Sequence, residues 1–101
     1  MIASKKIINL AIEKAYINNS FDYLGVCDGG KEGQVVYMQV YDNDIIETGR
    51  KSYVFYGYDR YKVGEANGQV IYDSADEETW REVYFDKGSA VKFALSILKD
   101  M

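Results

Sequence analysis

Between residues 21 and 85 the chain is cut by glycine and asparagine, never by proline, into short runs of β-branched and aromatic residues. The cuts are "DGGKEG" (28–33), "DND" (42–44), "TGRK" (48–51) and "EANG" (65–68). Such residues punctuate strands, and Asn67-Gly68 is the dipeptide that suits a two-residue type I′ hairpin. The runs left between them are "FDYLGVC" (21–27), "QVVYMQVY" (34–41), "SYVFYGYDRYKV" (52–63) and "QVIYD" (69–73). Their composition and length predict antiparallel strands joined by short turns. "TWREVYF" (79–85) follows a capping-box pattern at Ser74 and Glu77 and has helical spacing at Trp80, Val83 and Tyr84. Its density of Trp, Val, Tyr and Phe favours a fifth strand, which makes "SADEET" an acidic loop.

The two ends read differently. From Lys5 to Asn18 the apolar residues Ile8, Ala11, Ile12 and Ala15 recur at helical spacing, with Ser4 as N-cap and "NN" as a stop. Ile7, Leu10 and Ile17 lie off that stripe, so burial on more than one side within the domain is the first expectation and contact with a neighbouring chain the second. In "SAVKFALSILKD" the residues Val91, Ala94, Leu95 and Leu98 share a stripe, flanked by Ala90, Phe93 and Ile97, which predicts a largely buried helix capped by Asp86 or Ser89. With no repeat or linker-like stretch, residues 1–101 read as a single compact α+β domain: an N-terminal helix, an antiparallel sheet of four or five strands, and a C-terminal helix, both helices on one face of the sheet. The expected core is Ile8, Ile12, Val36, Met38, Val40, Val91, Leu95 and Leu98.

Composition limits the chemistry. The chain has no histidine and one cysteine, Cys27, so the commonest general base and zinc ligand are missing and no intramolecular disulfide can form. A lone thiol fits a reducing, cytoplasmic setting, and Cys27 reads as a passive strand residue. The lysines ahead of the first apolar run mimic a signal peptide, but Glu13 and Lys14 interrupt that run, and no other stretch has the length to span a bilayer. "DGGKEG" matches neither a Walker loop nor a dinucleotide fingerprint, and "DND" lacks the glycine and the later glutamate of a calcium loop. Neither an enzyme nor a metal or cofactor is expected.

What remains is a tyrosine-rich surface. In "QVVYMQVY" alternation separates Val36, Met38 and Val40, which belong under the helices, from Val35, Tyr37, Gln39 and Tyr41. In "SYVFYGYDRYKV" it separates Tyr53 and Phe55 from Tyr56, Tyr58, Arg60 and Lys62, provided that Gly57 does not introduce a bulge. The charged pair Arg60 and Lys62 should lie in water, so Tyr56 and Tyr58 should face outward with it. Tyr37, Tyr41, Tyr56 and Tyr58 would then tile the sheet face opposite the helices, bordered by basic groups. The net charge of −4 is unevenly spread: residues 73–86 hold six acids, Asp76, Glu77 and Glu78 among them, against Arg81.

These rings would serve equally as cross-strand pairs that stabilise the sheet. As a functional surface they point to a small non-enzymatic binding or regulatory protein. It would dock on another protein, or on a second copy of itself, through Tyr37, Tyr41, Tyr56, Tyr58, Arg60 and Lys62, through the acidic Asp76, Glu77 and Glu78, or through both. An acidic segment that filled a basic nucleic-acid channel would make it an inhibitor. The alternative is a single-stranded nucleic-acid binder that stacks bases on the same rings, a reading that the overall negative charge disfavours.

Overall fold

The structure is a computed structural model that describes residues 5–18, 21–42 and 51–100. Ser4, most of "DND", and Arg50 with most of the "TGRK" turn lie outside the described residues, so the expectations placed on them are not addressed. The described elements run α1 (Lys5–Asn18), β1 (Phe21–Cys27), β2 (Gln34–Asp42), β3 (Lys51–Ala66), β4 (Gln69–Ser74), β5 (Trp80–Tyr84), α2 (Lys87–Ile97) and β6 (Leu98–Asp100). This is the expected α+β arrangement, with all strand pairs antiparallel.

The sheet is ordered β4-β3-β2-β1-β6, and β5 also pairs with β3. "DGGKEG" closes the β1–β2 hairpin, in which Cys27 pairs with Gln34. Asn67 and Gly68 close the β3–β4 hairpin with φ values of 52° and 77°, the left-handed pair that a type I′ turn requires. β3 has two halves with different surroundings. Residues 51–59 pair with β2 on one side, and within them 53–57 pair with β5 on the other. Residues 60–66 continue past β2 and pair only with β4, forming a two-stranded arm. Its apolar side chains Tyr61, Val63, Val70, Ile71 and Tyr72 are exposed.

β4 and β5 lie along the same edge of β3. The amide of Ala75 donates to the Asp59 carbonyl (2.8 Å) and that of Thr79 to the Gly57 carbonyl (2.7 Å), so the strand path leaves β3 only between them. Asp76, Glu77 and Glu78 are looped out at that point. The acidic loop read from sequence is thus an extrusion from the rim of the sheet.

Both helices cover one face. Ile8, Ile12 and Ala15 of α1 and Ala90, Val91 and Ala94 of α2 share a core with Val36, Met38, Val40, Tyr53 and Phe55. The β2–β3 register is continuous through Gly57, so no bulge disturbs the alternation there. α2 begins at an N-cap supplied by Asp86, whose carboxylate accepts from the Ser89 amide (2.8 Å). That bond holds the Asp86 carboxyl below its ordinary pKa.

Three expectations about the helices are corrected. Leu95 is 38% exposed, because α2 turns Ala90, Val91 and Ala94 onto the sheet, which rotates position 95 toward the outer flank. Leu10 and Ile17 are 57% and 77% exposed, so one domain does not bury both sides of α1. The helical pattern that runs on to Asp100 ends at Ile97, because Leu98–Asp100 extends and pairs with β1. Among the described residues no helix is long and apolar enough to cross a membrane.

Candidate functional site

The sheet face away from the helices carries the outward residues of four strands. β2 contributes Val35, Tyr37, Gln39 and Tyr41, and β3 contributes Val54, Tyr56 and Tyr58. Their cross-strand partners include Tyr37 opposite Tyr56 and Val35 opposite Tyr58. β1 adds Phe21 and Tyr23, opposite Gln39 and Tyr37, and β5 adds Arg81 and Val83, opposite Tyr56 and Val54.

These rings form one connected cluster. Phe21 stacks on Tyr37 with ring centroids 4.9 Å apart and planes 6° from parallel, and it tilts against Tyr56 at 5.1 Å. Tyr37 meets Tyr58 edge-on at 5.6 Å and Tyr23 at 5.7 Å. Offset and edge-to-face contacts of this kind suit the aromatic quadrupole, with each pair contributing roughly 0.5–1.5 kcal/mol beyond area burial.

Tyr56 sits beneath the cluster. It retains 7% of its exposure, whereas Phe21 retains 43% and Tyr23 51%. Its phenol oxygen lies 3.2 Å from that of Tyr41, and the Arg81 guanidinium lies 5.1 Å from its ring centroid. Burial, followed by the hydrogen bond to Tyr41, pushes the Tyr56 pKa up to about 12. Burial is also the leading cause of the upward shift at Tyr58. Alternation gave Tyr56 the correct face, but the expectation that it stands in solvent is corrected: rings from β1 and β2 cover it.

The predicted charged groups divide. Arg60 Nε donates to the Glu32 carbonyl (2.5 Å), and its guanidinium rests 4.2 Å from the Tyr72 centroid, tying the root of the arm to the β1–β2 turn. Lys62 lies on the arm and pairs with Glu65 (2.6 Å). Neither is an unengaged cation bordering the tyrosines. Glu78 does reach the face: it accepts from both Nε (3.0 Å) and Nη2 of Arg81, and these bonds hold its carboxyl below the ordinary range. Asp76 and Glu77 are exposed at the tip of the extrusion.

The structure therefore joins Tyr37, Tyr41, Tyr56, Tyr58 and Glu78 into one surface and leaves Arg60 and Lys62 on the arm. Phe21, Tyr23 and Arg81 belong to that surface and were not anticipated. Alternation in "FDYLGVC" does place Phe21 and Tyr23 on one side of a strand. Only the pairing with β2 shows which side that is. The register shift between Tyr23 and Gly25 then returns Val26 to the same face and Cys27 to the core.

On the helix side, the carboxamide of Gln34 ties three strands together. Its Nε2 donates to Asp59 Oδ1 (2.7 Å) and Thr79 Oγ1 (2.6 Å), and its Oε1 accepts from Trp80 Nε1 (2.8 Å). The indole lies against Gly57, where a Cβ would collide with it. Cys27 is buried, and desolvation raises its thiol pKa, which disfavours the nucleophilic thiolate. No cluster of metal-ligating side chains occurs among the described residues. No family model, curated protein or solved structure matches the chain.

Proposed function

We propose that the chain is a non-enzymatic protein-binding module that docks another protein on its open tyrosine face. The observation that carries this reading is the continuous set of rings from Phe21, Tyr23, Tyr37 and Tyr58 around Tyr56, spread across three strands that, among the described residues, no helix covers. Tyr56 and its neighbours hold the exposed rings in fixed positions, so little side-chain entropy is lost when a partner lands on them. Interfaces enriched in tyrosine and arginine concentrate their binding energy in such rings.

Charge indicates the kind of partner. Beside the rings Glu78 is paired with Arg81, whereas Asp76 and Glu77 are extruded and exposed at the same edge, so a complementary protein presents lysine or arginine to these two. Stacking of single-stranded nucleic acid is the weaker reading, because it needs unpaired cations along the rings: Arg81 is paired there with Glu78, and Arg60 and Lys62 are engaged elsewhere.

The test is capture of partners from native lysate on the immobilised protein, with and without nuclease, comparing wild type with Tyr23→Ala and Tyr58→Ala. A partner that survives nuclease, and whose affinity falls by about 2 kcal/mol in the variants, supports the reading. A partner released by nuclease, or one held equally well by both variants, refutes it.

A further inference from the structure

On the helix side, independent of the tyrosine face, a pocket of about 400 Å³ opens beneath the C-terminal end of α2. That volume falls within the range of small-molecule sites, roughly 300–1,000 Å³. The Trp80 indole and the apolar side chains of Phe93, Ile97 and Leu98 line it. Asp28, Glu82 and Lys99 supply its charged groups.

Trp80 is held in place with unusual completeness. Gly57 gives it room that no other residue would leave, and Phe93 meets it edge-on at 6.0 Å. Gln34 accepts its indole N–H and is itself fixed by bonds to Asp59 and Thr79. A site builds its specificity on groups locked in this way by their surroundings.

The charges then select an occupant. Lys99 is paired with Asp28 (2.6 Å), so the two largely cancel. Glu82 has no ion pair among the described residues. It projects on the helix side of β5, opposite Phe55 and between Trp80 and Tyr84, whose phenol pKa is raised by burial first and by the Glu82 charge second. The pocket thus combines an immobilised indole, a phenyl ring, aliphatic walls and one uncompensated carboxylate. An indole is the best of the aromatic side chains at attracting a cation, and a nearby carboxylate adds to that attraction.

We infer that this pocket binds a small organic cation, an ammonium or quaternary ammonium group carried on an apolar or aromatic body. The body would rest on Phe93, Ile97 and Leu98, and the cationic head would lie between Trp80 and Glu82.

Trp80 is the only tryptophan in the chain, so its indole N–H gives a single resonance that reports directly on the site. The protein would be titrated at constant ionic strength with benzyltrimethylammonium, benzyl alcohol and benzoate in turn. The expected result is a saturable shift of the indole resonance by the cation, with affinity at least about tenfold above that of the alcohol or the anion, equivalent to roughly 1.4 kcal/mol. Glu82→Gln should lose most of that preference while the remaining amide spectrum stays in place. Ser96→Phe, which puts a bulky ring into the pocket from α2 without adding a second indole N–H, should abolish binding of all three probes. The inference is overturned if the cation produces no saturable shift, if benzoate binds as tightly, or if Glu82→Gln binds the cation as wild type does.

Discussion

Replacing Gly57 with alanine puts a methyl group into volume that the Trp80 indole occupies. The structure allows two responses. If Trp80 swings away, its hydrogen bond to Gln34 is lost, at about 1 kcal/mol, together with its edge contact to Phe93, at about 0.5–1.5 kcal/mol, and part of the indole's burial. If it stays, β3 and β5 must move apart, and overpacking of this kind costs about 1–3 kcal/mol. The lower chain entropy of alanine in the unfolded state offsets about 0.4–1 kcal/mol of either loss. A net loss of about 0.5–2.5 kcal/mol follows, which in a domain of about 100 residues lowers Tm by roughly 2–20 °C. Gly64, further along the same strand, is the internal control: nothing lies within 4 Å of the Cβ position there, and Gly64→Ala should leave stability within about 1 kcal/mol of wild type or raise it. Thermal and denaturant melts of both variants, with the indole N–H resonance as local probe, decide the matter. If Gly57→Ala melts with Gly64→Ala and the indole resonance stays in place, Trp80 does not lie against β3 as described, and the clamp that supports the pocket falls with it.

The tyrosine face should respond unevenly to truncation: Tyr56→Ala, at a site 7% exposed, should cost about 3 kcal/mol or more, and Tyr23→Ala, at a site 51% exposed, less than about 1 kcal/mol, both read from denaturant melts. Equal losses would show that Phe21 and Tyr41 do not cover Tyr56. Leu95→Ala should lower stability by less than about 1 kcal/mol because the side chain is 38% exposed, whereas the fully buried Ile8→Ala should lose about 2–5 kcal/mol; the reverse order in the same melts would place the wrong face of α2 on the sheet. The raised pKa of Tyr56 means that its neutral phenol is the form the fold favours. Its contribution is therefore fully present below the unfolded value near 10 and is lost as pH rises toward about 12. Tyr56→Phe should flatten part of the alkaline loss of stability in this window, and a pH–stability curve identical to that of wild type would refute the assignment.

Several elements were legible because their signals are local. The stripe Ile8, Ala11, Ile12 and Ala15 marks the helix that forms at Lys5–Asn18, and Asn67-Gly68 makes the left-handed turn that the dipeptide favours. Alternation in β2 and β3 assigned Val36, Met38, Val40, Tyr53 and Phe55 to the core, and Tyr37, Tyr41, Tyr56 and Tyr58 to the opposite face. The strand reading of 79–85 prevailed over the capping-box pattern because β3 offers Trp80–Tyr84 a full edge to pair with. A short segment with both signals follows the partner available to it.

Where the sequence alone fell short, the missing information was the identity of the neighbour. An amphipathic stripe says that one side of α2 is buried but leaves its rotation open by about one position in the helical wheel, and Leu95 and Ala90 lie on opposite flanks of that choice. Leu98–Asp100 carries on the helical pattern of α2 and becomes strand only because β1 presents a vacant edge. Arg60 and Lys62 have the outward parity that alternation requires, but β3 outruns β2 at that point, so they belong to the arm rather than to the tyrosine face.

The identity of α1 and of the strands β1 to β4, the parity of side chains along β2 and β3 and the uneven distribution of charge were written in the sequence by itself, because each depends on residues within a few positions of one another. Tertiary structure alone decided that Phe21 from β1 would cover Tyr56 from β3, that Glu78 would reach the ring cluster through Arg81, and that Gln34, Gly57 and Trp80 would converge to hold one indole in place. Apart from the local Glu78–Arg81 pair, those contacts join strands two or three apart in chain order, and they exist only once strand register has been set. The physical reason is that periodicity fixes the direction in which a side chain points, whereas burial depends on what arrives from elsewhere to cover it.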